Sequence, residues 1–118
     1  MKSILVPFIT IEDDDKDLIV SFALGGHAER SLTLLRTPVL ESILQEDERG
    51  VSVGTGSAKP NDRQMLVSIS FSDETVVVNT TGSSYLLSVS KVEVEEIAEA
   101  KVVLRKMNFD NRFTITDA

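Results

Sequence analysis

Residues 64–90, QMLVSISFSDETVVVNTTGSSYLLSVS, constrain this chain more than any other stretch. Val67, Ile69 and Phe71 alternate with Ser68, Ser70 and Ser72. That period of two belongs to a strand with one dry face and one wet face. Asp73-Glu74 can turn the chain. Setting Phe71 opposite Val76 places Ile69 opposite Val78, with all four pointing one way. A second turn at Thr81–Ser84 leads into Tyr85-Leu86-Leu87-Ser88-Val89. Setting Thr80 against Tyr85 puts Val78 opposite Leu87 and Val76 opposite Val89. One register then serves both hairpins, and a slip of one residue would turn the apolar set into water. The stretch predicts three consecutive antiparallel strands.

The rest of the chain extends this pattern. Residues 3–11 predict a strand that is apolar on both faces, with Pro7 at an edge or bulge because it has no N–H. Glu12 to Asp17 is a charged turn. Leu18, Val20, Phe22 and Leu24 share one face of a second strand, and Leu32 and Leu34 face inward from a third. Pairing Phe22 with Leu32 puts Val20 opposite Leu34, and Gly25-Gly26-His27-Ala28 supplies the turn. Thr37-Pro38 has the character of a helix start, and Leu40, Ile43 and Leu44 of an apolar stripe, which predicts a helix over 38–49. Val51–Val53 is a short strand. Ser90 and Glu93 have capping-box spacing, and Ile97, Ala100, Leu104 and Met107 line one face of a second helix that ends near Asn108. Arg112–Thr116 is a last strand.

The expected fold is one α+β domain over residues 1–118: a mainly antiparallel sheet with two helices packed on one face. The other face would carry Ser68, Ser70, Ser72, Thr75, Asn79 and Ser88, uncharged and mostly short, open to solvent or to a partner. At 118 residues the chain can bury roughly two-thirds of its unfolded surface, so a core without metal or disulfide is feasible.

Composition removes several kinds of chemistry. Cysteine is absent, which excludes disulfides, thiolate zinc sites and cysteine nucleophiles. The net charge of -7 opposes nucleic acid and anionic membrane and attracts basic proteins. The run Ile4–Ile9 is short, interrupted by Pro7 and followed by acids, so neither a signal peptide nor a membrane span is expected, and the location expected is cytoplasmic.

Five local patterns are candidate sites. Asp13, Asp15 and Asp17 alternate as in a calcium loop. Leu18 and Leu24 then stand where that loop needs glycine and a bidentate acid. Gly54 to Lys59 has the glycines and the lysine of a phosphate cradle but matches neither phosphate-loop spacing. His27 is the only histidine, which excludes multi-histidine metal sites within one chain. Glu41 with Glu48, and Glu95 with Glu99, are carboxylate pairs that on amphipathic helices form solvated faces. Arg30, Arg36 and Arg63 would make an anion site only if folding gathered them. Otherwise the stems of Arg30 and Arg36 lie in line with the inward face and cap the core edge. No metal and no cofactor are expected.

These patterns lead to a non-catalytic protein-interaction module, in one version an acidic inhibitor or immunity-like protein that neutralises a basic partner. The alternative is a small ligand-binding protein or enzyme with a pocket near the 54–63 loop, using His27, Lys59 and Arg63. A third reading is a homo-oligomer formed through an edge strand such as 3–11.

Overall fold

The computed structural model describes residues 3–14, 16–25, 31–55 and 64–117. In order, the strands are β1 (Ser3–Leu5), β2 (Ile9–Asp13), β3 (Leu18–Ala23), β4 (Ser31–Arg36), β5 (Ser52–Thr55), β6 (Gln64–Phe71), β7 (Thr75–Thr80) and β8 (Ser84–Ser88). The helix α1 (Val94–Met107) and strand β9 (Thr114–Asp117) follow. Two 3₁₀ turns, Pro38–Ile43 and Glu46–Glu48, lie between β4 and β5. The sheet order is β1-β8-β7-β6-β5-β4-β3-β2, with β9 beside β6. Two pairings, β1 with β8 and β6 with β9, are parallel.

The two ends of this sheet are halves of one run of chain. Only Val6, Pro7 and Phe8 separate β1 from β2, a span of about 10 Å. The Val6 amide donates to the Ser88 carbonyl at 2.8 Å, continuing the β8 pairing. On the other side, Gly25 N donates to Leu5 O at 2.7 Å and Ala23 N to Phe8 O at 3.1 Å. The register advances by one residue between those two bonds, so the run bulges at Val6-Pro7, where proline has no donor to lose. The sheet therefore curls until β3 and β8 flank the same run. Glycine is needed at 25, because a Cβ there would sit 2.9 Å from the Leu5 carbonyl oxygen.

Inward residues of β3, β4, β6, β7 and β8 fill one hydrophobic core: Val20, Phe22, Leu32, Leu34, Ile69, Phe71, Val76, Val78 and Leu87 among them. Helix α1 adds Ala100, Val103, Leu104 and Met107. Its acids Glu95 and Glu96 stand in the first turn and Arg105 and Lys106 in the last, matching the helix dipole. Asn108 closes it, its N–H bonded to Leu104 and Arg105 carbonyls. The helix starts at Glu93 with no side-chain cap, three residues after the predicted Ser90 cap.

The expected fold class is corrected in two respects. The sheet is mixed and contains nine strands among the described residues, and there is one α-helix, of 14 residues. The segment predicted as the first helix instead forms the two 3₁₀ turns, split at an extended Gln45. Its predicted inward stripe faces out: Leu40 is 55% exposed and Ile43 81%, while Glu41 is buried. The reason is the 3₁₀ period of three, which sets Pro38, Glu41 and Leu44 on one side and Leu40 and Ile43 on another.

The β3–β4 hairpin has the predicted register, Phe22 opposite Leu32 and Val20 opposite Leu34. So does the β6–β7 hairpin at Phe71–Val76 and Ile69–Val78. Val67 does not point inward; a bulge between Leu66 and Ser68 turns it out. The β7–β8 register is displaced by two residues from the prediction, with Val78 opposite Tyr85 and Val76 opposite Leu87. The turn begins at Thr80 rather than Thr81. Thr80 N donates to Ser83 O, and the Thr80 hydroxyl accepts from the amides of Gly82 and Ser83. A shift of two leaves every side chain on its predicted face.

Candidate functional site

Strand β8 ends at Ser88, and the chain turns through Val89–Val92 into α1. The helix then runs alongside β2 in the same direction: the Ile9 amide donates to Glu96 Oε1 at 3.1 Å, and Lys106 Nζ donates to Asp13 Oδ2 near the other end. Between strand and helix lies a groove of about 400 Å³, lined by Ile11, Asp13, Ala98, Glu99, Val102 and Val103. Its surface is mostly hydrocarbon. Val94, Ala98 and Val102 recur at intervals of four, so they form a second apolar stripe on α1, distinct from the core stripe. Ala98 is exposed, Val102 is 52% exposed and Val94 77%.

The charges along this groove do not balance. Lys101 and Arg105 are engaged by Asp117, at 2.9 and 3.4 Å, and Lys106 by Asp13. Lys101 also lies 5.2 Å from the centre of the Phe71 ring. Glu95 and Glu99 have no ion-pair partner among the described residues. The groove thus has an apolar floor and an acidic rim. The sequence shows the 94–98–102 spacing, but the stronger 97–100–104–107 stripe masks it in a search for one buried face.

A second cluster sits at the 36–50 corner, around Arg36, which is 1% exposed. All five guanidinium donors are used: Nε and Nη2 on Glu41, Nη1 and Nη2 on Asp110, and Nη1 on the Met107 carbonyl. The distances are 2.7–2.9 Å. The Phe109 ring lies 4.0 Å from the guanidinium carbon. Burial alone would lower the pKa of Arg36, but the bonds to Asp110 and Glu41 outweigh it and raise the pKa. The Arg36 guanidinium holds the Asp110 carboxyl well below the usual carboxylate range, against a smaller desolvation effect, and Arg112 adds to the lowering. A hollow of about 230 Å³ lies against this cluster, lined by Arg36 and Glu41 together with Leu35, Leu40, Ile43 and Leu44. Arg36 is therefore not part of an anion site. Its donors are spent on internal partners, and its whole side chain is buried rather than its stem alone, which goes beyond the core-edge expectation.

The predicted partner face exists as a surface. Ser68 lies opposite Asn79, Ser70 opposite Val77, and Thr75 opposite Ser88. Ser68, Ser70, Thr75, Asn79 and Ser88 are half-buried, and Ser72 is exposed just beyond β6. Several of these groups bond to one another or to neighbours. Asn79 donates to Ser68 Oγ at 2.9 Å, Ser84 Oγ donates to Asn79 Oδ1 at 2.7 Å, and the Ser88 and Ser90 hydroxyls meet at 3.4 Å. The predicted ligand contacts His27, Lys59 and Arg63 lie outside the described residues, as do Arg30, Asp15 and most of the 54–63 loop.

Among the described residues no group of three or more His, Cys, Asp or Glu side chains could hold a metal ion. No helix among them is long and apolar enough to cross a membrane. No protein-family model, no curated protein and no solved structure matches the chain.

Proposed function

We propose that this protein is a non-catalytic binding module that takes a basic protein partner at the β2–α1 groove. One observation carries the reading: the apolar groove is lined by Glu99, with Glu95 one turn away on α1, and neither acid has an ion-pair partner among the described residues, although α1 itself supplies three cations that pair with Asp117 and Asp13 instead. An apolar stripe left exposed beside unbalanced charge is what an interface leaves visible in the free molecule. The net charge of -7 would steer a basic partner toward it. Neutralising a basic toxin or enzyme is one form of this function, supported by size and charge alone. A cytoplasmic location belongs to the same proposal, and cell fractionation tests it.

The test is affinity capture from host lysate at low and high salt, with mass spectrometry of the retained proteins. Three baits are compared: the native chain, a Glu95→Lys/Glu99→Lys variant and a Ser70→Arg/Ser88→Arg variant. The native chain should retain a basic protein at low salt and lose much of it at high salt. The helix variant should weaken retention about tenfold or more, and the sheet variant should leave it unchanged. The reverse result would move the partner to the outer sheet face. Recovery of no protein at either salt would sink the proposal and favour a small ligand, to be sought by thermal shift.

A further inference from the structure

We propose that the partner binds by strand addition: an extended segment pairs with the free edge of β2, and its alternate side chains enter the groove against α1. This inference rests on the basic-partner reading and adds the mode of binding and the chemistry of the segment.

The backbone pattern identifies the edge. Ala23 N bonds Phe8 O and Asp14 N bonds Asp17 O, so the even-numbered residues from Phe8 to Asp14 turn their backbone groups toward β3 and the turn after it. Ile9, Ile11 and Asp13 turn theirs the other way. The Glu96 carboxylate bonded to the Ile9 amide shows that outward direction directly. Beyond Ile9, no strand among the described residues pairs with this side of β2. Strand β8, which flanks the same run at β1, has already ended. The carbonyls of Ile9 and Ile11 and the amides of Ile11 and Asp13 form a short open ladder beside the groove.

Two features set the chemistry of the segment. An added strand points every second side chain toward the helix. Those side chains meet Ala98, Val102 and Ile11, so they should be apolar. Residues along the rim meet Glu99 and Glu95, so they should be lysine or arginine. The same charge disfavours a second copy of this chain. Two β2 edges side by side would bring Glu12, Asp13, Glu95 and Glu99 of each molecule together.

The experiment uses the full chain, isotopically labelled for amide hydrogen exchange by NMR, and two short peptides of alternating valine and lysine. The second peptide is N-methylated on alternate residues, which keeps charge and hydrophobicity but removes the pairing edge. At low salt the first peptide should bind and slow exchange at the Ile11 and Asp13 amides. The methylated peptide should bind about tenfold more weakly or worse, for the loss of two or more hydrogen bonds. Equal binding of both peptides, or binding that leaves Ile11 exchange unchanged, would overturn strand addition while leaving a basic partner in place. Binding by neither peptide would also overturn it, and the Glu95→Lys/Glu99→Lys capture experiment then decides separately on the basic-partner reading. Protection of Ile11 in the free protein that grows with protein concentration would assign the edge to a second copy and overturn the proposal.

Discussion

At the 36–50 corner the charged groups lie inside and the apolar side chains outside, whereas along the β2–α1 groove the apolar side chains form the floor and the acids stand in water. In the first region Arg36 is buried, so its carboxylates must come in with it. Glu41 takes the inward position of the 3₁₀ turn, and Val39, Leu40 and Ile43 are left exposed. In the second region nothing charged is buried, and the cations of α1 pair outward with Asp117 and Asp13. Exposed hydrocarbon therefore has a different origin in each place. At the corner it follows from satisfying a buried charge. At the groove no internal bond requires Val94, Ala98 and Val102 to face solvent.

The sharpest test of this contrast is to remove the charge at the corner. Arg36→Leu leaves Glu41 buried without a counter-charge and should destabilise the protein by about 3–5 kcal/mol in urea unfolding. Adding Glu41→Leu to it should recover much of that loss, because no buried charge then remains unpaired and Asp110 can return to water. A double variant as unstable as Arg36→Leu alone would mean that packing of the arginine stem, and not charge pairing, holds the corner together. The corresponding charge removal on the other side, Glu99→Gln, should leave stability nearly unchanged.

Acid gives the next effect. The Asp110 carboxyl has a lower pKa in the folded protein than its ordinary value of 3.8. On acidification the unfolded chain therefore takes up the proton first. The stability from this bond is fully present above the unfolded value and is lost as pH falls through 3.8 toward the folded value. Asp117, held by Lys101, adds a shift of the same sign. Unfolding free energy should fall below about pH 4 in the native protein and fall less steeply in Asp110→Asn. Parallel acid limbs in the two proteins would break the assignment of Asp110 to the corner's stability.

Most of the local structure was legible in the sequence, for a physical reason. The Phe22–Leu32 and Phe71–Val76 pairings follow from period-2 alternation across short turns, where few registers compete. The core stripe of α1 follows from its 3.6 period. What stayed hidden depended on contacts distant in sequence. The parallel pairings of β1 with β8 and β6 with β9 leave no local mark. The inversion at Glu41 needs Arg36 and Asp110, the latter 74 residues beyond Arg36. Leu40, Ile43 and Leu44 satisfied a helical template, but the neighbouring buried guanidinium decided which residue turned in. The groove depends on α1 lying against β2, so its sequence signal, the 94–98–102 spacing, had no meaning until the helix was placed.

The smallest effects separate the two kinds of exposed hydrocarbon. Ile43→Ser and Val102→Ser both replace side chains that are at least half in water, and neither touches a hydrogen bond. Each should change stability by no more than about 0.5 kcal/mol, and Ile43→Ser more nearly not at all. In partner capture they should part: Val102→Ser should weaken retention of the basic protein, because it removes the floor on which an incoming side chain would rest, whereas Ile43→Ser should leave it unchanged. Weakened capture by Ile43→Ser alone would reverse the argument. The outward face of the 3₁₀ turn would then be selected as an interface, and the buried Arg36–Glu41 pair would be the device that presents it.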